Sequence, residues 1–223
     1  MRLVNHPVLC NYYLTYRCNA KCGFCDIWER PSPYINLHDV ENNLRDLKKL
    51  GVRVVDFTGG EPLLHKELPE ILGLAKGMGF ITTVTTNGLL YPKKAKSLMG
   101  LIDMLHFSLD SFDGDHHDEM RGVPCYDAVM ESIKIAIDLG ERPDILFTVF
   151  SKNINQIELV YKHITKPNNL VLILNPAFDY NDIEIGNSLD SEDLKYLKQW
   201  ARKPLVYLNK AFLALIEDGG NHI

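Results

Sequence analysis

The chain has 223 residues, 46% of them hydrophobic, and a formal net charge of −5. That length suits a single α/β domain with ample material for a core. The mixing of acidic with basic residues argues against nucleic-acid binding, and no apolar stretch reaches the roughly 18 residues that a membrane-spanning helix needs. The start, Met1-Arg2-Leu3-Val4-Asn5-His6-Pro7, lacks the apolar run and cleavage site of a signal peptide.

In chain order, residues 9–15 form the first short apolar strand pattern. Val40, Leu44, Leu47 and Leu50 then recur at helical spacing, with Asn36 and Asp39 as a start signal and Gly51 as a stop. Strand 54–58, helix 66–78, strand 81–86 and helix 92–100 follow, and then strand 104–109. Val129, Ile133, Ala136 and Ile137 mark a helix ended by Gly140. Strand 145–150, helix 155–165 and strand 170–175 complete the pattern, and Asp190 caps a last helix through Leu194, Leu197 and Ala201. Six β–α alternations predict a parallel sheet with right-handed crossovers. Six are too few for a closed eight-stranded barrel, so the fold class is α/β, a partial (β/α)6 TIM-like barrel, with a doubly wound sheet as the alternative. Residues 1–223 read as one core unit, the part after about 180 being a helical extension. Glu217-Asp218-Gly219-Gly220-Asn221-His222-Ile223 reads as the start of a loop, so a further C-terminal part is expected.

The five cysteines stand at positions 10, 18, 22, 25 and 125, a poor disulfide framework and a better set of metal thiolates in a reducing cytoplasm. Cys18, Cys22 and Cys25 form a C-x3-C-x2-C loop after the first strand. Soft thiolates select iron–sulfur or zinc. A [4Fe–4S] cluster ordinarily takes four cysteines; with the fourth absent locally, one iron is open to another ligand. A zinc site or plain core cysteines remain as alternatives, although a structural zinc site usually has a second ligand pair and none is present.

In a parallel barrel, ligands bind at the C-terminal ends of the strands. There the chain carries Thr58-Gly59-Gly60-Glu61-Pro62, Thr85-Thr86-Asn87-Gly88, Ser108-Leu109-Asp110 and His116-His117-Asp118-Glu119-Met120-Arg121-Gly122. Each has a plainer reading: tight turns for the first two, a cap for Asp110, and a surface ion pair with Asp118 or Glu119 for Arg121. Cys10 and Cys125 read as packing residues. His65 and His106 are unassigned, while Tyr12, Asn175 and Asp179 fall near strand ends as substrate-contact candidates.

On the C-x3-C-x2-C loop with Phe24 before its third cysteine, and on the GGEP string, the chain resembles the radical S-adenosylmethionine (SAM) superfamily. The H-D-x-x-R-G stretch is similar to that of the subgroup containing the first enzyme of molybdenum-cofactor synthesis and the pyrroloquinoline-quinone peptide cyclase. The resemblance implies one [4Fe–4S] cluster on Cys18, Cys22 and Cys25, with SAM on the open iron. It implies reductive cleavage of SAM to a 5′-deoxyadenosyl radical that takes hydrogen from substrate. It also implies SAM contacts from Phe24, Gly59, Gly60, Glu61, Thr86, Asn87, Ser108, Asp110 and Arg121, the last through the SAM carboxylate. Expected partners are a small-molecule or peptide substrate and a reductant such as flavodoxin or ferredoxin, and the expected location is the cytoplasm. No catalytic side chain is assigned. A non-catalytic zinc- or Fe–S-binding α/β module is the alternative. Many relatives carry further cluster ligands in a C-terminal extension, and this chain has no cysteine after Cys125.

Overall fold

The computed structural model describes residues 6–177 and 189–217. Its strands are β1 (Leu9–Tyr13), β2 (Val54–Thr58), β3 (Ile81–Thr86), β4 (Met104–Ser108), β5 (Asp144–Val149), β6 (Leu172–Pro176) and β7 (Val206–Leu208). The helices are α1 (Leu37–Lys49), α2 (Leu68–Gly77), α3 (Tyr91–Leu98), α4 (Gly114–Arg121), α5 (Tyr126–Asp138) and α6 (Gln156–Val160). A π-helical turn, Tyr161–Thr165, leads from α6 into α7 (Lys166–Asn168), and α8 (Ser191–Trp200) and α9 (Lys210–Glu217) follow.

The seven strands form one sheet in chain order, each parallel to the next. With right-handed crossovers, unbroken order sends every connection to the same face, and strand twist then curls the sheet toward a barrel. A doubly wound sheet reverses its strand order partway, so that alternative is excluded. β1 and β7 remain unpaired with each other, so the barrel is partial.

Strand alternation divides the two faces. Val55, Phe57, Val84, Phe107, Phe147 and Leu174 are fully buried beneath the helices. Each such side chain contributes about 1.5–3 kcal/mol by leaving water. The other face carries a polar row. Thr83 Oγ1 donates to Asp56 Oδ1 at 2.6 Å, Thr85 Oγ1 lies 3.2 Å from His106 Nδ1, and His106 Nε2 lies 3.4 Å from Asp144 Oδ2.

The six strands expected from the sequence appear with ends shifted by at most two residues. Asn36 caps α1 as expected, its side chain accepting from Asp39 N at 2.9 Å. Asp190 caps α8, accepting from the amides of Glu192 and Asp193. Three elements were not foreseen. β7 is three residues long with Tyr207 58% exposed, too short for a period. Polar GDHHDEMR makes α4, which buries only His117, Met120 and Arg121, and α9 closes the described chain. No helix among the described residues is long and apolar enough to cross a membrane.

Candidate functional site

The loop of residues 14–26 carries the three cysteines and is gripped from three sides. The first grip is the turn after β2: Gly60 N donates to Thr15 O and Glu61 N to Arg17 O, both at 2.8 Å. A Cβ on Gly59 would lie 2.2 Å from Thr15 O, and one on Gly60 would lie 2.1 Å from Arg17 O. Glycine is required here because backbone meets backbone. The second grip follows β3, where Asn87 Nδ2 donates to Asn19 Oδ1 at 2.8 Å and lies 3.9 Å from Cys18 Sγ. The third is the C-terminus of α4. Its end carbonyls Met120 O and Arg121 O, which lack partners within the helix, accept from Gly23 N and Lys21 N. Gly122 ends α4 in the left-handed region at φ 65°, and a Cβ there would sit 2.2 Å from Lys21 O.

Glu61 organises this arrangement from within. It is fully buried, and its carboxylate accepts from Leu63 N (3.0 Å), Thr86 Oγ1 (2.7 Å) and Asn87 N (2.9 Å). Burial raises its pKa, and these bonds partly offset that. Glu61 and Thr86 thus spend their side chains joining the turns after β2 and β3.

Asp110, past the end of β4, is also fully buried; its Oδ1 accepts from Thr148 N at 2.8 Å and its carbonyl from Asn153 Nδ2 at 3.0 Å. Arg121 Nη2 lies 2.6 Å from Asp110 Oδ2, a close ionic contact without hydrogen-bond alignment. The same guanidinium sits 5.4 Å from the centroid of the Phe24 ring, with Nη1 3.9 Å from Cys22 Sγ. Phe24 in turn packs on Phe150 at 5.1 Å. Ser108, 8% exposed, ends β4 on the face away from the helices.

Cys18, Cys22 and Cys25 are free and half-buried. Burial pushes the Cys18 thiol up to about 11, with Glu61, Cys22 and Cys25 adding to the rise; Ala20 N, 3.4 Å from its sulfur, opposes it. Burial likewise raises Cys22, while Arg121 lowers it. Three free thiols in one clamped loop, with N–H donors and a guanidinium beside them, suit a soft, anionic metal–sulfur group. An open cleft of about 870 Å³, lined in part by Arg17, Cys18, Asn19, Trp28 and Tyr34, adjoins the loop.

His117, Asp118 and Cys125 also bring donor atoms within 4.8 Å of one another. This cluster does not fit a metal. Asp110 N donates to His117 Nδ1 at 3.2 Å, so the neutral ring carries its proton on Nε2, whereas a metal-bound imidazole turns its other nitrogen toward an acceptor. Asp118 Oδ1 is already taken by the amides of Cys125 and Tyr126 at 2.8 Å, and burial pushes the Cys125 thiol up to about 12. The cluster is a structural joint at the start of α5.

Burial also holds the His117 imidazole down to about 4, from an ordinary 6.5. The unfolded chain therefore binds the extra proton first as pH falls. Stability from this group is complete above about pH 6.5 and is lost progressively toward pH 4, by about 3 kcal/mol in all. Urea unfolding at pH 7 and at pH 4.5 should show the loss, and His117→Gln should shrink the difference; an unchanged difference would exclude His117 as its source.

The remaining described candidates make their contacts elsewhere. His65 Nε2 donates to Ile35 O at 2.8 Å. Tyr12 Oη accepts from Asn43 Nδ2 on the helix side. Asn175 lies in β6, paired in register with Thr148. Asp179 lies outside the described residues. Arg17 was not singled out in the sequence; its Nε donates to Ser32 O and its guanidinium lies over Tyr34, and its place beside Cys18 was the available signal.

Fold and site together define an α/β partial barrel with a three-thiol loop clamped at the C-terminal ends of its strands. The Radical SAM superfamily model matches residues 12–164, and the chain belongs to that superfamily. A "Probable GTP 3',8-cyclase" of Sulfurisphaera tokodaii is 32% identical, over 94% of this chain and 72% of the relative. A "GTP 3',8-cyclase" of Pelotomaculum thermopropionicum is 34% identical, over 66% of this chain and 48% of the relative. The chain thus spans from about half to nearly three quarters of these relatives. Among solved structures, Streptococcus suis SuiB bound to S-adenosylmethionine superposes with a TM-score of 0.79 at 22% identity, over 92% of this chain and 50% of SuiB. His-tagged anSMEcpe with bound AdoMet gives 0.73 at 22% identity, over 97% of this chain and 68% of that one. At such identities the likeness concerns the fold.

Proposed function

We propose that this chain is the core of a radical SAM enzyme with one [4Fe–4S] cluster on Cys18, Cys22 and Cys25, SAM at the strand ends, and a guanine nucleotide as substrate. The carrying observation is the convergence of three segments, after β2, after β3 and at the end of α4, on the one loop that bears three free thiols. Residues 1–223 are taken as one core unit, the part after about 180 being its extension. With SAM bound, such a cluster supplies one-electron cleavage of SAM to a 5′-deoxyadenosyl radical that takes a hydrogen atom from substrate.

The chain's own residues bind and orient. Gly59 and Gly60 let the β2 turn close on the cysteine loop beside SAM, Asn87 and Ser108 supply polar groups at the neighbouring strand ends, and Phe24 on Phe150 shields the site from water. Glu61, Thr86 and Asp110 hold these groups in place through their buried bonds. The nucleotide assignment rests on the relatives' names, and the polar row Asp56, Thr83, Thr85, His106 and Asp144 supplies donors and acceptors suited to such a substrate. A flavodoxin or ferredoxin is the proposed electron source.

Anaerobically reconstituted protein, given dithionite, SAM and GTP, should be brown and should form 5′-deoxyadenosine faster with GTP than without it, as read by mass spectrometry. SAM cleavage indifferent to GTP would remove the nucleotide. A colourless protein holding about one zinc per chain would replace the enzyme with a structural metal module.

A further inference from the structure

We infer that Arg121, fixed by Asp110, is a positioning residue that presents positive charge to the Cys22 sulfur and so raises the reduction potential of the metal–sulfur group. This rests on the cluster reading above and goes beyond it, because it gives Arg121 a task on the protein's own thiolate. Arg121 is 7% exposed, its Nη1 is 3.9 Å from Cys22 Sγ, and its Nε is buried with no hydrogen-bond partner among the described residues. A buried cation with unspent donors is costly unless an anion completes its surroundings. Asp110 supplies one at 2.6 Å but without hydrogen-bond alignment, and the sulfur lies on another side of the fork.

Asp110 cannot follow the guanidinium if it moves. Thr148 N holds its Oδ1, Asn153 Nδ2 holds its carbonyl, and its own amide is tied to His117 Nδ1. The Phe24 ring, 5.4 Å away, bounds the guanidinium on a further side. The pair thus has a fixed direction, positive end toward sulfur. Reduction adds one electron to a group ligated by three thiolates, so a nearby fixed cation favours the reduced form; charge and hydrogen bonds at the sulfurs are recognised determinants of cluster potential.

The two partners should therefore act with opposite sign. In the reconstituted full chain, titrated potentiometrically with paramagnetic resonance as the readout, Arg121→Gln should lower the reduced-to-oxidised ratio at fixed potential about tenfold, about 59 mV for a one-electron couple. Asp110→Asn should raise it, and Arg121→Lys, which keeps the charge, should stay nearer wild type than Arg121→Gln. Should Arg121→Gln strand Asp110 and fail to load iron, the double variant Asp110→Asn/Arg121→Gln carries no lone buried charge and should still fall below wild type. Potentials that do not move, or that move the same way in Arg121→Gln and Asp110→Asn, overturn the inference and leave the cluster reading intact. A wild-type chain that takes up no cluster overturns both.

Discussion

Cys18→Ala, Cys22→Ala and Cys25→Ala will each abolish iron incorporation, whereas Cys10→Ala and Cys125→Ala will retain it. The first three sulfurs lie in one loop and lie near enough to act on one another electrostatically. With only three protein ligands, loss of one leaves too few to hold a cubane cluster, so the expected effect is near-total loss of bound iron. Cys10 sits in β1 against the helix-side core, and Cys125 is 1% exposed at the start of α5. Iron and sulfide analysis after anaerobic reconstitution reads the outcome. Loss of iron in Cys125→Ala as complete as in Cys22→Ala would mean that the ligand set is misassigned.

Gly60→Ala will strongly destabilise the protein. The new Cβ would stand 2.1 Å from Arg17 O and 2.6 Å from Tyr16 O, backbone atoms of the loop that carries Cys18. No rotamer relieves that clash, so the loop must leave the β2 turn and break the 2.8 Å bonds from Gly60 N to Thr15 O and from Glu61 N to Arg17 O. We expect a loss of about 3 kcal/mol, the upper end of overpacking costs, and a fall in melting temperature of about 6–12 °C. Iron loading should fall with it. Gly73→Ala is the control: it lies within α2 with nothing within 4 Å of its added Cβ, and it should gain about 0.5–1 kcal/mol. A Gly60→Ala protein as stable as wild type would show that the β2 turn is not a clamp.

Much of this protein is legible in its sequence because the determining interactions are local or periodic. Alternating apolar strands and helical stripes such as Val40, Leu44, Leu47 and Leu50 predict six β–α units, since period follows directly from backbone geometry. Asn36 and Asp190 announce helix starts because a cap acts on amides two or three residues away. The C-x3-C-x2-C spacing marks the candidate metal loop because the three cysteines are neighbours in the chain.

What the sequence could not express is how side chains far apart in the chain divide their hydrogen bonds. The GGEP turn reads as a ligand-binding turn, yet only the folded chain shows Gly59 and Gly60 pressed against Thr15 O and Arg17 O, and Glu61 spending its carboxylate on Leu63, Thr86 and Asn87. α4 escapes prediction because it buries only His117, Met120 and Arg121 and is tied to the cysteine loop through its end carbonyls, in a segment without an apolar stripe. The Asp110–Arg121 pair and the 3.9 Å approach of Arg121 to Cys22 join residues 11 and 99 positions apart. Composition, period and local caps determine which elements form. Which polar groups are left over to face a cofactor is decided only by long-range packing, since each buried donor or acceptor must find its partner wherever the fold brings one within reach.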